Sequence, residues 1–152
     1  MRLWRLARAP FAAFDGVGSA RGGSRWSSKS IPILFASSTQ SLALLEVLVH
    51  TPRELIPDDY VFIAIEIPDD RTQSVSKEML PPDWADSPPP TNLKAIGDDW
   101  ARSNRSCALL IPSVIVPNEL NCMINPRHPD FSRIEISTPI SFILDKRFHG
   151  SR

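Results

Sequence analysis

The stretch GGSRWSSKSIPILFASSTQSLALLEVLVH, residues 22–50, decides how this chain folds. A glycine pair leads into Arg25 and Trp26, a short apolar strand follows at 33–36, and an apolar helix closes the stretch. A single carboxylate, Glu46, interrupts the apolar sequence ALLEVLV of that helix. Charged side chains are mostly exposed, so one interpretation is that Glu46 marks a solvent-exposed face of the helix. The alternative is a catalytic carboxylate, because a buried one needs a partner or takes up a proton.

Length and composition predict a single globular domain. The chain has 152 residues, of which 42% are hydrophobic and 22% charged, enough to bury a sizeable core. Its formal net charge is zero, which gives no general attraction to nucleic acid or membranes. The charge is uneven, however: residues 1–45 contain six Lys or Arg and one acid, Asp15, whereas the rest contain eleven and sixteen. The basic N-terminal part is therefore a candidate site for an anionic ligand.

The sequence carries no signature of a membrane span, a disulfide framework or a zinc site. No apolar run approaches the roughly 18 residues that cross a bilayer, and Cys107 and Cys122 form no CxxC pair. No zinc-binding spacing relates the three histidines, which are His50, His128 and His149. The first thirty residues, rich in Arg and Ser, faintly resemble an organelle transit peptide. The simplest interpretation is a reduced cytoplasmic protein without a metal.

Hydrophobic periodicity predicts about six short strands and two helices. The predicted strands cover 1–8, 31–37, 60–67, 107–111, 133–136 and 140–144, the helices 40–50 and 97–106, and the loops 15–30, 68–94 and 121–131. Asp98 and Asp99 are expected in the first turn of the second helix, where the helix dipole favours acids. Because strands and helices do not alternate, the prediction is a single α+β domain over 1–152, with an antiparallel or mixed sheet and a polar tail over 145–152.

Six short motifs, in this order, make the chain resemble the RES domain, the toxin half of RES–Xre toxin–antitoxin pairs in bacteria. They are WRLAR at 4–8, GGSRW at 22–26, ALLEVLVH at 43–50, IGDDW at 96–100, IPSVIVP at 111–117 and NCMINPRHPDF at 121–131. The resemblance covers nearly the whole chain and begins at its N-terminus, which weakens the transit-peptide interpretation.

The resemblance implies a fold similar to ADP-ribosyltransferases, with two small sheets at an angle and an NAD cleft between them. It implies Arg25, Glu46 and Ser113 as catalytic residues. The residues it implies as NAD contacts are Arg25, Trp26, Phe35 and Asn125. No metal or resident cofactor is expected: NAD is the substrate, and inorganic phosphate is a candidate co-substrate.

The residue types suit cleavage of the nicotinamide–ribose bond. The ribose becomes positively charged as the bond breaks, as in glycoside hydrolysis, and a carboxylate such as Glu46 stabilises that charge. Arg25 offers a planar fork of donors suited to a pyrophosphate or phosphate. Phe35 stands where the family usually has a tyrosine; it can stack on a ligand but has no hydroxyl to donate.

Three functions stay open at this point. The first is an NAD-degrading toxin neutralised by a cognate Xre-family antitoxin, forming a homodimer within a cytoplasmic toxin–antitoxin complex and binding neither nucleic acid nor membrane directly. The second is an inactive or slow NAD-binding module, because Phe35 replaces the family tyrosine. The third is a protein ADP-ribosyltransferase. Toxicity that depends on Glu46 would separate the first from the second.

Overall fold

A computed structural model describes residues 1–148, so part of the predicted tail, and His149 with it, lies outside the described residues. The strands are β1 (Arg2–Arg8), β2 (Leu34–Ser37), β3 (Tyr60–Glu66), β4 (Thr72–Ser74), β5 (Ala108–Pro112), β6 (Leu120–Ile124), β7 (Glu135–Ile136) and β8 (Ile140–Ser141). The helices are α1 (Val17–Gly22), α2 (Gln40–Leu48) and α3 (Leu93–Ser103), joined by short 3-10 turns. Within the described residues no helix has both the length and the apolar character of a membrane span.

The strands form one mixed sheet in the order β4-β5-β6-β2-β1-β3-β7, with β8 also paired to β3. Only β4 and β5 run parallel among the strand pairs of residues 1–148. The expectation of two separate small sheets is therefore wrong, because the strands are hydrogen-bonded into a single sheet. The α+β class and the mixed sheet are confirmed.

The sheet is weakly joined in its middle. β1 and β3 pair along their whole length, from Arg2 opposite Glu66 to Arg8 opposite Tyr60. In contrast, β1 and β2 share a single paired position, Trp4 opposite Ser37. The two halves of the sheet are thus free to diverge on either side of this junction, which places a cleft between neighbouring strands.

The two longer helices cover apolar faces of the two halves. Helix α2 packs through Ala43, Leu44 and Val47 on a cluster that includes Leu6 and Phe62. Helix α3 packs on the other half, through buried residues spaced by three or four positions: Leu93, Gly97 and Trp100. Each helix therefore follows the 3.6-residue period expected of a helix with one buried face.

Helix α3 begins at Leu93, four residues before the predicted start at Gly97. Asp98 and Asp99 consequently lie in the middle of the helix, so the prediction that they occupy its first turn is wrong. Asp98 is buried, with 6% of the residue exposed, and its Oδ1 accepts a hydrogen bond from the backbone N–H of Ser28 at 2.8 Å. It holds the loop before β2 against the helix, a role that a solvent-exposed first-turn acid could not have.

The segment 121–131, predicted as a loop, begins with the strand β6. Its residues Cys122, Met123 and Ile124 are fully buried, because β6 lies between β2 and β5 in the sheet. Two other predicted loops contain short regular elements: 15–30 includes α1 and 68–94 includes β4. Strand β2 is three residues shorter at its start than predicted, since regular pairing begins at Leu34.

Candidate functional site

A cleft of about 860 Å³ opens where β1 and β2 diverge, beside α2. This volume lies within the range of roughly 300–1,000 Å³ that is typical of small-molecule sites. The cleft is lined by charged, aromatic and hydroxyl side chains that include Arg5, Arg8, Arg25, Trp26, Phe35, Ser37, Glu46, His50 and Asn121. Four of the predicted site residues, Arg25, Trp26, Phe35 and Glu46, therefore share one cavity.

Glu46 lies at the edge of the buried face of α2 and is held there by side-chain hydrogen bonds. The helix starts at a Thr39 cap, whose side chain accepts from the backbone N–H of Leu42. Glu46 Oε1 accepts a hydrogen bond from Asn121 Nδ2 at 2.5 Å and another from Ser113 Oγ at 3.3 Å. The carboxylate is therefore a fixed member of a polar cluster, which a solvated stripe would not provide.

Ser113 follows β5 directly and is buried, with 3% of its surface exposed. Its Oγ accepts hydrogen bonds from the backbone N–H groups of Ile115 and Val116, both at 3.1 Å. A hydroxyl has one proton, and Ser113 donates it to Glu46. The structure thus brings two predicted catalytic residues into contact and gives Ser113 a holding role in this arrangement.

Asn121 belongs to this cluster and was missed by the sequence analysis. It is the second residue of β6 and lies opposite Ser37 of β2, so the two side chains are cross-strand neighbours. Ser37 Oγ donates to Asn121 Oδ1 at 2.7 Å. An asparagine beside turn-forming residues predicts a turn, and only the pairing of β2 with β6 reveals its position next to Glu46.

Arg25 is anchored to the proline-rich segment that forms one wall of the cleft. Its Nη1 donates to the backbone carbonyls of Trp84 and Asp86, each at 2.9 Å. The ring of Trp26, which is 5% exposed, lies 6.3 Å from that of Trp84. Among residues 1–148 no carboxylate pairs with Arg25, and its other guanidinium nitrogens remain available to a ligand.

The loop that carries Arg25 depends on a glycine in the neighbouring helix. A Cβ atom on Gly97 would lie 1.9 Å from the backbone oxygen of Trp26, so only glycine allows this approach. On the other side of the loop, Ser24 Oγ accepts from the backbone N–H groups of Trp26 and Ser27. The GGSRW and IGDDW segments therefore meet, and together they fix the place of Arg25.

Arg5 is a second cleft residue that the sequence analysis missed. It lies on β1, its Nε is buried, and that atom has no hydrogen-bond partner among the described residues. Its guanidinium stacks on Phe14 at 5.7 Å. Burial lowers the pKa of Arg5, an effect that the negative charge of Asp15 partly opposes. A buried donor without a partner is costly for the fold, and the positive charge of the Arg5 guanidinium favours an anion in the cleft.

Phe35 and Asn125 have different positions. Phe35 lines the cleft from β2, two residues before Ser37 and hence on the same face of the strand. Asn125 does not line it: its Nδ2 donates to Ala101 O and Asn104 Oδ1, both at 3.0 Å. These contacts join β6 to the end of α3, so the predicted NAD contact at Asn125 finds no support in this geometry.

The fold and the cleft define a class: a single-domain α+β protein whose mixed sheet frames a site with one oriented carboxylate and several arginines. The family model of the RES domain matches residues 2–145. The chain therefore belongs to the RES domain family, and the proposed resemblance is confirmed.

Full-length relatives agree with this assignment. The proteins named Toxin Res of Photorhabdus laumondii and Yersinia enterocolitica are each 34% identical over 150 residues, covering 97% of this chain and 96% and 99% of theirs. The Prs ADP-ribosylating toxin of a Sphingobium species is 35% identical over 152 residues and covers 95% of this chain and 94% of its own.

The fold is shared with a solved structure. One chain of the M. tuberculosis MbcT–MbcA toxin–antitoxin complex superposes with a TM-score of 0.75, at 14% identity. The match covers 93% of this chain and 84% of that chain. At this identity the likeness supports the fold, whereas the family assignment rests on the family model and on the relatives that are 34–35% identical.

Proposed function

We propose that this protein is a toxin that degrades NAD by cleaving its nicotinamide–ribose bond. The observation that carries the proposal is the Glu46 carboxylate, fixed by Asn121 and Ser113 in a cleft that also contains Arg5 and Arg25. A fixed anion suits a reaction that develops positive charge, and the arginines suit a pyrophosphate. The relatives named as toxins support the biological role.

The reaction depends on a negative charge beside the ribose and does not depend on a proton donor for the leaving group. When the bond between nicotinamide and ribose breaks, its electron pair stays on the pyridine nitrogen, so nicotinamide leaves as a neutral molecule. The ribose carbon is left as an oxocarbenium-like cation, which Glu46 stabilises by its charge. Phosphate or water then forms the new bond to that carbon, giving ADP-ribose 1-phosphate or, with loss of a proton, ADP-ribose.

The arginines are assigned to the anionic part of NAD or to phosphate. Arg5 has a buried donor without a partner, and Arg25 uses one nitrogen on the wall of the cleft while keeping others free. Guanidinium groups bind phosphates with two parallel hydrogen bonds. Phe35 offers a ring for stacking on nicotinamide or on the ribose.

We also propose that an antitoxin of the Xre family neutralises the protein in the cytoplasm, and that the toxin is a homodimer within that complex. The support is the family assignment and the fold shared with a chain of a toxin–antitoxin complex. No metal or resident cofactor is needed for this chemistry, since the leaving group requires no redox step.

The test is an NAD assay in phosphate buffer and in phosphate-free buffer, with the products separated by chromatography. Loss of NAD that requires phosphate and Glu46 would establish a phosphorylase, and loss without phosphate a glycohydrolase. The matched control is Glu54→Gln, which removes a carboxylate outside the cleft lining and is expected to behave as wild type. No NAD loss in either buffer, in wild type or in Phe35→Tyr, would refute the proposal.

A second candidate function is ADP-ribosylation of a protein. It is favoured by the relative that is named a Prs ADP-ribosylating toxin. NAD carrying a radiolabel in its adenylate part separates the two functions. Label that stays on a protein after denaturation would indicate transfer to that protein, whereas label found only in small molecules supports NAD degradation.

A further inference from the structure

The Glu46 carboxylate is held through one of its two oxygens. Both Asn121 Nδ2 and Ser113 Oγ donate to Oε1, and Oε2 makes no hydrogen bond to any described residue. Because Glu46 lines the cleft, Oε2 is the oxygen that remains for a ligand. The terminal torsion of a glutamate is broad and roughly two-fold, so without fixed donors the two oxygens would exchange roles.

The two donors differ in what else they do. Ser113 also accepts from two backbone N–H groups and so shapes the turn after β5. The side-chain hydrogen bonds of Asn121 within residues 1–148 go only to Glu46 and Ser37. Unlike Ser113, Asn121 thus uses its side chain for Glu46 and one cross-strand neighbour and bonds no backbone group through it.

Asn121 is held between Ser37 and Glu46, and the carboxylate decides which way its amide points. The Ser37 hydroxyl donates to Asn121 Oδ1, and the NH₂ group of the amide faces Glu46, whose carboxylate can only accept. Turning the amide over would bring its oxygen against a carboxylate oxygen and lose the hydrogen bond to Glu46, although the Ser37 hydroxyl could then accept from the amide. Ser37 and Asn121 are paired across β2 and β6, which gives both side chains a rigid base.

We propose that Asn121, held in place by Ser37, is a positioning residue: it fixes Oε1 of Glu46 and so presents Oε2 to the reacting ribose. The inference rests on the proposed function and adds two residues to the site. A carboxylate that is already oriented needs no reorganisation as charge develops on the ribose, and this favours the transition state over the bound substrate. The loss of Asn121 should therefore lower kcat much more than it changes KM.

The kinetic test compares Asn121→Ala and Ser37→Ala with Ser38→Ala, which removes a neighbouring hydroxyl that contacts neither Asn121 nor Glu46. We expect Asn121→Ala to lower kcat by about tenfold or more, with KM within about twofold of wild type. Ser37→Ala should show a smaller loss in the same direction, and Ser38→Ala should match wild type. An unchanged kcat in Asn121→Ala, with an active wild type, would overturn the proposal.

A pH profile separates positioning from a merely structural effect. Asn121→Asp places a second carboxylate beside Glu46, and the acid limb of its kcat–pH profile should move up by about one pH unit. The other charged groups of the cleft lining are Arg5, Arg8, Arg25 and His50. Arginines stay charged throughout this range, and the profile is measured in a His50→Gln background so that the imidazole does not contribute. A slow Asn121→Asp variant with an unshifted profile would mean that Asn121 only supports the fold.

A thermal unfolding cycle tests the contact without any activity. Asn121→Ala should lower Tm in the wild-type background and should lower it less in a Glu46→Ala background, where only the hydrogen bond to Ser37 is left to lose. Equal losses of Tm in both backgrounds would show that the two side chains do not interact and would overturn the inference. If wild type and Phe35→Tyr both leave NAD intact, the proposed function fails, and this cycle still decides whether Asn121 holds Glu46.

Discussion

Glu46 and Arg5 are two charged residues that line one cleft, yet they differ in their hydrogen bonding within the folded protein. Glu46 receives two side-chain hydrogen bonds on one oxygen. Arg5 has a buried Nε with no partner among the described residues, and burial lowers its pKa. The carboxylate is oriented before any ligand arrives, whereas the guanidinium still has a donor to satisfy.

The difference indicates which group does chemistry and which group binds. An oriented charge is useful where new charge develops during the reaction, because nothing has to move. An unsatisfied buried donor destabilises the folded protein, whereas the positive charge of the same guanidinium attracts an anionic ligand to the cleft. We therefore expect changes at Glu46 to affect kcat, and changes at Arg5 to affect substrate binding and stability in opposite directions.

The largest effect is expected for Glu46→Gln. The amide keeps the shape of the side chain but removes its negative charge, so kcat for NAD cleavage should fall by about 100- to 1,000-fold. KM should stay within about threefold, because the substrate is held mainly by the arginines. Steady-state kinetics with NAD measure both values. A loss confined to KM would reverse the assignment of roles between Glu46 and Arg5.

Arg5→Met is expected to weaken binding and strengthen the fold. Methionine fills the space of the side-chain stem without a buried donor, so the free energy of unfolding should rise by about 1 kcal/mol. KM for NAD should rise about tenfold or more as a charge-assisted contact is lost. Denaturant unfolding and kinetics measure the two effects.

Arg2→Met is the matched control for Arg5→Met. Arg2 lies on the same strand but is exposed and paired with Glu66, so its loss should lower stability by less than about 1 kcal/mol and leave KM unchanged. If Arg5→Met also loses stability, the guanidinium of Arg5 is a structural group that the folded protein needs, and its role as an unused donor is wrong.

One part of the candidate site is marked by the sequence alone: Glu46 stands out as a charge within an apolar helix. Arg25 was named only through the resemblance to the RES domain, because a glycine-rich segment by itself predicts a flexible loop. Arg5 does not stand out, because β1 has three arginines and the alternation of the strand cannot say which one is buried. Asn121 was missed for a related reason: its neighbours are turn formers, and the burial of β6 comes from the strands on either side.

Prediction of the fold from sequence was limited in the same way: elements with a local hydrophobic pattern were found, and long-range pairing was not. Periodicity predicted β1, β3 and α2 well, since each carries its own hydrophobic pattern. The start of α3 was wrong because three prolines at 88–90 indicate a break, although Leu93 already belongs to the buried face of the helix. The union of the strands into one sheet depends on the single Trp4–Ser37 pairing, which no local pattern contains.

Phe35→Tyr adds a hydroxyl, which can donate a hydrogen bond, to the wall of the cleft near Ser37. If the missing hydroxyl limits this protein, kcat should rise about fivefold, the effect of roughly one hydrogen bond. The rise should require Glu46, so Phe35→Tyr in a Glu46→Gln background should stay as slow as Glu46→Gln alone. An unchanged rate would show that the aromatic ring is sufficient at this position.

The smallest effect concerns Arg8, an arginine of β1 that, unlike Arg5, has a carboxylate partner. Arg8 Nε and Nη2 donate to the two carboxylate oxygens of Asp59 at 2.8 and 2.9 Å, and this hydrogen bonding lowers the pKa of Asp59. A lowered acid pKa stabilises the folded protein at pH values above the ordinary pKa of the group, and that stabilisation disappears as the pH falls through the lowered pKa.

Wild type should therefore be slightly more stable than Asp59→Asn at about pH 6, and the difference should vanish by about pH 2. Because the pair is exposed, added salt should also reduce the difference. Denaturant unfolding at both pH values measures it, and a difference that persists in acid would mean that Asp59 acts through its shape and not through its charge.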